Sequence, residues 1–410
     1  MARATASPAA DVSAFACFDP GILALPLYRP DHVTAAARIG AWSQANAHLW
    51  EQRDGSTPEE TGRRILRALG DGGWLTHLDP RRATECPHPG DCRSACLIRQ
   101  ALAYADDLAD YAFSIQALSA MPICRFGSDV QRQRYLPGIA AGELIASFAI
   151  SEEAAGTDVA KLAMRADRSG DGYVLNGTKV WIANGSIADV HCVLARTGEG
   201  PGALGLTAFL APATTPGVRV LETIPVIAPR AFARLAFEDC HLPADSVLGT
   251  PGGGFVIAMD MLDRFRATVG AAALGFARRA AGAALARAKD RQIYDGHLFD
   301  LQLVRAALAD SEVKLSAAAL LVARAAWEID HESRRLAVHS STAKLYATEA
   351  AQQIVDTAVQ IFGAAGLVAG SMPERLYRQV RSMRIYEGAS EVQKMIIADS
   401  LSLRRPGQPR

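Results

Sequence analysis

Apolar positions recur with two different periods along this chain of 410 residues, and the change of period divides it into three. Over the first third the spacing is helical. Ser56-Thr57-Pro58-Glu59-Glu60 offers a cap, a proline suited to the first helical position and two first-turn acids ahead of Ile65, Leu66 and Leu69. The glycines at 70–73 predict the end of that helix. Further helical patterns cover about 93–118 and, from Ser128 through Gln131 and Tyr135, reach Ile139. Residues 1–30, rich in Ala, Pro and small polar groups, predict an irregular arm, and residues 1–145 read as an N-terminal helical domain.

At Ala146 the period shortens. Segments rich in β-branched and aromatic residues follow: 148–150, 173–175, 180–182, 190–194, 206–210 and 218–220. Asn176-Gly177 and Asn184-Gly185 are turn dipeptides. Residues 146–254 therefore predict a middle antiparallel β domain, a sandwich or barrel, closing at the hinge-like Pro251-Gly252-Gly253-Gly254. From Phe255 the helical period returns in four stretches, about 255–291, 298–330, 335–362 and 390–403, which predicts a C-terminal four-helix bundle over 255–410. The fold class is α+β.

Chemistry gathers near the end. In Arg384-Ile385-Tyr386-Glu387-Gly388-Ala389-Ser390-Glu391-Val392-Gln393, the Ser390 and Gln393 pair has the spacing of a capping box, and Val392, Met395 and Ile396 have helical spacing behind it. A helix is predicted to start at Ser390. Glu387 then lies on the turn before it, beside a glycine that lets backbone and ligand approach closely. A carboxylate there can serve as a proton-abstracting base if an apolar lining raises its affinity for a proton. A surface acid near the positive end of a helix has the same pattern. These residues alone leave both readings open.

Composition narrows the field without deciding it. Half of the chain is hydrophobic, and 43 basic residues balance 43 acidic ones. No charge imbalance argues for nucleic acid or an anionic membrane, which makes a small molecule the better ligand class. The first twenty residues lack a continuous apolar core for export and later alanine-rich runs are interrupted by arginines, so the expectation is a cytoplasmic protein with no membrane insertion. Seven cysteines in apolar company suggest reduced thiols. Cys86, His88, Cys92 and Cys96 cluster in sequence but lack paired Cys-x-x-Cys knuckles, so no metal is expected.

The domain order together with five motifs resembles the acyl-CoA dehydrogenase family of flavoproteins. Phe148-Ala149-Ile150-Ser151-Glu152-Glu153-Ala154-Ala155-Gly156-Thr157-Asp158 is similar to its first signature, and Lys179-Val180-Trp181-Ile182-Ala183-Asn184 to its flavin-facing strand. Gly254-Phe255 with 262–266 resembles the opening of its first bundle helix. Gln360-Ile361-Phe362-Gly363-Ala364-Ala365-Gly366 resembles the flavin-nucleotide loop, and 386–391 the catalytic signature. The match spans about residues 90–405.

The resemblance implies FAD, held without a Rossmann fingerprint or P-loop, since the chain has neither. It lays the flavin against Phe148, Ile150, Ser151, Trp181 and Ala183, and assigns Arg291, Tyr294, Gln302, Gln360 and Gly363 to the pyrophosphate and adenosine, partly across a subunit interface. Ala389 and Glu391 complete the implied cofactor set. Thr157, Asp263, Arg266, Tyr386 and Gly388 are implied to meet the substrate. The implied reaction is α,β-dehydrogenation of an acyl thioester in fatty acid metabolism, on CoA or an acyl-carrier protein, with Glu387 as the base. The implied partners are an electron-transfer flavoprotein or similar acceptor and three further copies in a homotetramer. Where some relatives place the base on the first bundle helix, this chain has Phe265.

Departures from the pattern keep other functions in play. Ala183 replaces the usual Thr or Ser near the flavin's reactive edge, Glu153 the usual proline, Tyr294-Asp295 the usual Phe-Gly, Gln379 an acid, and Ala364 a glycine. A flavin oxidase or monooxygenase on the same scaffold is one alternative, and a non-catalytic acyl-thioester-binding relative is another.

Overall fold

The structure is a computed structural model, and it describes residues 16–51, 55–88, 90–333 and 335–402. The N-terminal helices are α1 (Pro20–Leu23), α2 (Pro30–Ala45), α3 (His48–Glu51), α4 (Pro58–Asp71), α5 (Cys92–Ala105), α6 (Asp107–Phe126) and α7 (Asp129–Ala140). Helix α4 begins with a reciprocal capping box between Thr57 and Glu60 and has its C-cap at Gly72. The single helix expected over 93–118 is two. Asp106, in extended conformation, ends α5 and accepts from Leu108 N to cap α6, which then runs on to Phe126. The start of the predicted irregular arm lies outside the described residues, but α1 forms within the rest of it, capped by Asp19.

Eight strands make one sheet: β1 (Ala146–Ala149), β2 (Arg165–Ser169), β3 (Gly172–Ala183), β4 (Val190–Arg196), β5 (Leu206–Pro212), β6 (Val218–Thr223), β7 (Phe232–Leu242) and β8 (Val247–Leu248). The order is β6-β7-β3-β2-β4-β5-β8, with β1 added beside β4. Pairing is mostly antiparallel, but β1 runs parallel to β4 with Phe148 opposite Cys192. Asn176-Gly177 is a bulge inside β3 rather than a turn. A Cβ on Gly177 would lie 2.7 Å from the Met164 side chain, so glycine allows the strand to pass there.

Beyond the sheet come α8 (Gly254–Asp290), the hairpin of β9 (Gln292–Ile293) and β10 (Gly296–His297), then α9 (Gln302–Asp330), α10 (Leu336–Phe362), α11 (Met372–Arg381) and α12 (Ser390–Ser402). Helix α11 is an element the periodicity did not predict. Gly270 of α8 approaches Ala343 and Ala347 of α10, and Arg287 lies over the Phe362 ring, so α8 and α10 run side by side in the same direction. One core joins the N-terminal helices to the inner face of the sheet and the start of α8, while an alanine-rich core fills the bundle. Among the described residues no helix is long and apolar enough to cross a membrane.

Candidate active site

The segment between α11 and α12 is held in a left-handed conformation at two successive residues, Glu387 (φ 54°) and Gly388 (φ 88°). A non-glycine residue in that region is strained and needs support from its surroundings. Two donors provide it. Gln393, in the first turn of α12, reaches back so that Nε2 donates to the carbonyls of Glu387 (3.2 Å) and Gly388 (2.8 Å). Lys344 of α10 donates from Nζ to the Gly388 carbonyl at 2.7 Å. The positive φ favours glycine at position 388, and a Cβ there would stand 2.5 Å from Gln393 Nε2 and push away the side chain that holds the loop. The capping box expected from Ser390 and Gln393 does not form, because both side chains have other partners. Ser390 is itself the first residue of α12 and its hydroxyl donates to Glu349 at 2.6 Å, while Arg384 binds the same carboxylate at 2.8 Å.

Glu387 is the electrostatic centre of this region. Burial raises its affinity for a proton; the neighbouring cations Arg99, Lys344 and Arg266 oppose that rise, and Asp110 adds to it. Its Oε2 is buried with no hydrogen-bond partner, and so is Nε of Arg266. Among the described residues nothing accepts the Glu387 backbone N–H. Burial also lowers Lys344, to about 8.

A second surface is formed by the start of the sheet. Trp181 sits in the bulge of β3 between Lys179 and Ile182 with φ 61°, and its side chain is 54% exposed. Lys179, fully buried, lies beneath the bulge. Its Nζ donates to the Ile150 carbonyl (2.9 Å) and to Glu152 (2.8 Å), whose carboxylate also accepts from the backbone N–H groups of Ala163 and Met164. Val180 N donates to Ser151 O, so 150–152 is tied to the strand that presents the indole. Phe148, Ile150 and Ala183 are partly buried against the first core. Next to Ala183, Asn184 donates its backbone N–H to the Tyr111 hydroxyl, and its Nδ2 is buried without a partner.

Three domain descriptions match the sequence: Acyl-CoA dehydrogenase, N-terminal domain at 36–143, middle domain at 147–240, and C-terminal domain at 252–402. The Mycobacterium tuberculosis protein named "Probable acyl-CoA dehydrogenase FadE25" is 34% identical over 375 residues, 90% of this chain and 95% of that one. The chain belongs to the acyl-CoA dehydrogenase family. Members of this family are FAD-dependent oxidoreductases. Butyryl-CoA dehydrogenase from Megasphaera elsdenii superposes with a TM-score of 0.84 at 30% identity, covering 91% of this chain and 98% of that one. A glutaryl-CoA dehydrogenase from Mycobacterium smegmatis in complex with FADH2 has a TM-score of 0.82 at 26% identity, covering 93% and 97%. The prolyl acyl carrier protein oxidase AnaB has a TM-score of 0.83 at 27% identity, covering 92% and 100%.

Against the family pattern, the implied site residues fall into two groups. Asp263 and Arg266 form an ion pair in the early turns of α8, on the Glu387 side, and Tyr386 packs against the bundle core. Thr157 and Glu391 are exposed, and Ala389 is half-buried. The nucleotide set stands elsewhere. Arg291 follows α8, Tyr294 is 89% exposed on the β9–β10 hairpin, Gln302 opens α9, and Gln360 and Gly363 lie at the end of α10. Arg266 and Asp290 are about 36 Å apart along the α8 axis at the usual helical rise. Arg266 and the nucleotide set therefore stand at different levels of α8.

The sequence offers Gln393 only as a capping partner, and it gives no role to Lys344, Arg99 and Asp110 near Glu387 or to the Arg230 and Asp107 pair beside Tyr386. The available signal was a set of charges inside apolar helical runs, such as Lys344 between Ala343 and Ala347. Cys86 and His88 do not join Cys92 and Cys96. They lie beside His77, with one ligand atom from each of the three residues within 4.8 Å of the others. His88 already accepts from Gly90 N at Nδ1 (3.1 Å) and meets Trp74 O at Nε2 (3.3 Å).

Proposed function

We propose that this chain removes hydrogen from the α and β carbons of an acyl thioester, with Glu387 as the α-proton base. The observation that supports it is the buried, unpartnered Oε2 of Glu387 on a loop strained into position by Lys344 and Gln393. The residues present fit FAD. An indole turned out of a strand on a strained bulge suits a flat aromatic ring, and unpartnered buried atoms on Glu387, Arg266 and Asn184 leave polar positions for ligands. Phe148, Ile150, Ser151, Trp181 and Ala183 would hold the ring, and Arg291, Tyr294, Gln302, Gln360 and Gly363, with Ala389 and Glu391, the rest of the cofactor. FAD, when bound, supplies the acceptor for the β-hydride.

The α-proton of a thioester is weakly acidic, so its carbonyl oxygen has to be polarised as the proton leaves. The backbone N–H of Glu387, without an acceptor among the described residues, would donate to that oxygen, next to the carboxylate that takes the proton. Lys344 and Gln393 fix the carbonyls of the same loop, so the donor and the base keep their mutual geometry. Asp263, Arg266 and Thr157 would meet the pantetheine arm or its carrier, CoA or acyl-carrier protein. An electron-transfer flavoprotein or a similar acceptor would take the electrons. Glu387→Gln should lower anaerobic dehydrogenation by at least 1,000-fold and leave the protein yellow with bound FAD. Retention of most activity rejects the assignment.

Ala183 favours a second reading. It lacks the hydroxyl that family members usually place near the flavin's reactive edge, and AnaB is named an oxidase of a carrier-bound acyl group. Stopped-flow mixing of the reduced protein with air separates the two: slow reoxidation supports the dehydrogenase, and fast reoxidation with stoichiometric peroxide the oxidase.

A further inference from the structure

We infer that the acyl group this site accepts is short and bears a neutral hydrogen-bonding substituent such as a hydroxyl, rather than a plain hydrocarbon chain; this rests on the dehydrogenation reading above. The α carbon must meet the Glu387 carboxylate, so the remainder of the acyl group lies among the groups that surround it. Four of them are charged: Arg99, Lys344, Arg266 and Asp110. Arg99 of α5 grips Asp110 of α6 through Nε and Nη2 at 2.8 and 2.9 Å, with exposures of only 2% and 3%. Its remaining Nη1 donates to Thr268 Oγ1, which donates to the Phe265 carbonyl, tying the pair to the first turns of α8. Arg230 and Asp107 make a second buried pair, and the Arg230 guanidinium lies 5.8 Å from the Tyr386 ring centroid.

A pocket shaped for hydrocarbon has no use for these pairs. Replacing a buried ion pair with apolar residues of similar volume is commonly neutral or stabilising, so in a fatty-acyl pocket the pairs cost desolvation and return no recognition. They do offer recognition to a polar substituent. The Asp110 oxygens, each with one guanidinium contact, keep lone pairs free to accept, and Arg230 binds Asp107 through Nε and Nη2 while Nη1 is left to donate. The two pairs are each neutral overall, so a substituent that both donates and accepts fits better than an extra charge. Phe265 is buried on α8 with its carbonyl bound to the Thr268 hydroxyl that also meets Arg99, and Arg99 and Asp110 both act electrostatically on Glu387, so a short acyl group already reaches the pair. A site of this kind rejects an analogue lacking the polar atom far more strongly than an apolar pocket rejects an added one.

The test uses pantetheine thioesters, the part common to CoA and carrier proteins, and measures binding apart from turnover on the FAD-bound Glu387→Gln variant by calorimetry. The 4-hydroxybutyryl thioester should bind at least 10-fold more tightly than the near-isosteric pentanoyl thioester, and octanoyl more weakly than either. In the double substitution Arg99→Leu, Asp110→Leu the preference should invert, with melting temperature reporting whether the variant folds. Equal affinities, tighter pentanoyl or octanoyl binding, or no binding of any of the three overturns the inference, and the Glu387→Gln protein with Arg99 and Asp110 intact answers even if the double substitution does not fold. If the hydroxyl preference holds in the Glu387→Gln protein but the wild type reduces no flavin with the same thioesters, the pocket assignment stands and the dehydrogenation reading falls.

Discussion

At the scale of single residues, the decisive balance is between the burial of Glu387 and the cations around it. Burial raises the carboxyl's affinity for a proton, and Arg99, Lys344 and Arg266 pull it part of the way back. The base works only as the carboxylate, so activity should rise with pH along a limb set by Glu387, above its ordinary value of 4.5. Lys344→Met removes one of the opposing cations and should move that limb to higher pH, besides lowering kcat about 10-fold as the Gly388 carbonyl loses its anchor. A pH profile of kcat/KM for the two proteins checks both. The sign for stability is the reverse. A carboxyl whose folded affinity for protons is raised contributes stability that is complete below its unfolded value and is lost as pH rises through the folded one. Glu387→Gln should therefore melt higher than wild type at pH 7 and no higher at pH 4, as read by thermal unfolding. Glu387 was legible in the sequence because a motif marks it. Lys344 and Asp110 were not, because a charge in an apolar run reads as an exposed face until the packing shows where it points.

At the scale of elements, the sheet presents Trp181 through a clamp rather than through the strand alone. Lys179 has no exposed side-chain surface and is partnered by Glu152, and burial brings it down to about 8. Lys179→Met leaves Glu152 without its cation and should cost about 3 kcal/mol, seen as a fall in the denaturant midpoint. Adding Glu152→Gln removes the unpaired charge but keeps only one of the two oxygens that accept from Ala163 and Met164, so it should recover part of that loss and not all of it. A second close fit joins α5 to α8. A Cβ on Gly275 would lie 2.3 Å from the Gln100 carbonyl and 2.8 Å from Tyr104 N, both backbone atoms that cannot move aside. Gly275→Ala should destabilise by about 1–3 kcal/mol and lower the melting temperature. The long helices of the bundle and the start of β1 at Ala146 were legible from periodicity. What periodicity could not supply was the break at Asp106, where a capping acid interrupts a continuous apolar pattern, and the bulge at Gly177, where a turn dipeptide serves a strand crossing instead.

At the scale of the whole molecule, α8 separates the two groups of candidate residues. The residues around Glu387 occupy its beginning, while Arg291, Tyr294 and, through the neighbouring end of α10, Gln360 and Gly363 occupy the other end, about 36 Å away. We propose that these exposed residues complete the cofactor site of another subunit. Tyr294, Leu303, Leu367 and Val368 are 60–89% exposed at or beyond that end of the bundle, an apolar group that a monomer would leave in water. Light scattering should give a mass of about four times the 43.6 kDa chain when FAD is bound. Arg291→Ala should lose FAD on gel filtration while Glu387→Gln keeps it. In a mixed oligomer of these two variants, a subunit with intact Glu387 but altered Arg291 can still draw its nucleotide contacts from a neighbour with intact Arg291, so activity absent from both parents should reappear. If mixing restores nothing although mixed oligomers form, then Arg291 acts within its own chain and the interface does not complete the site.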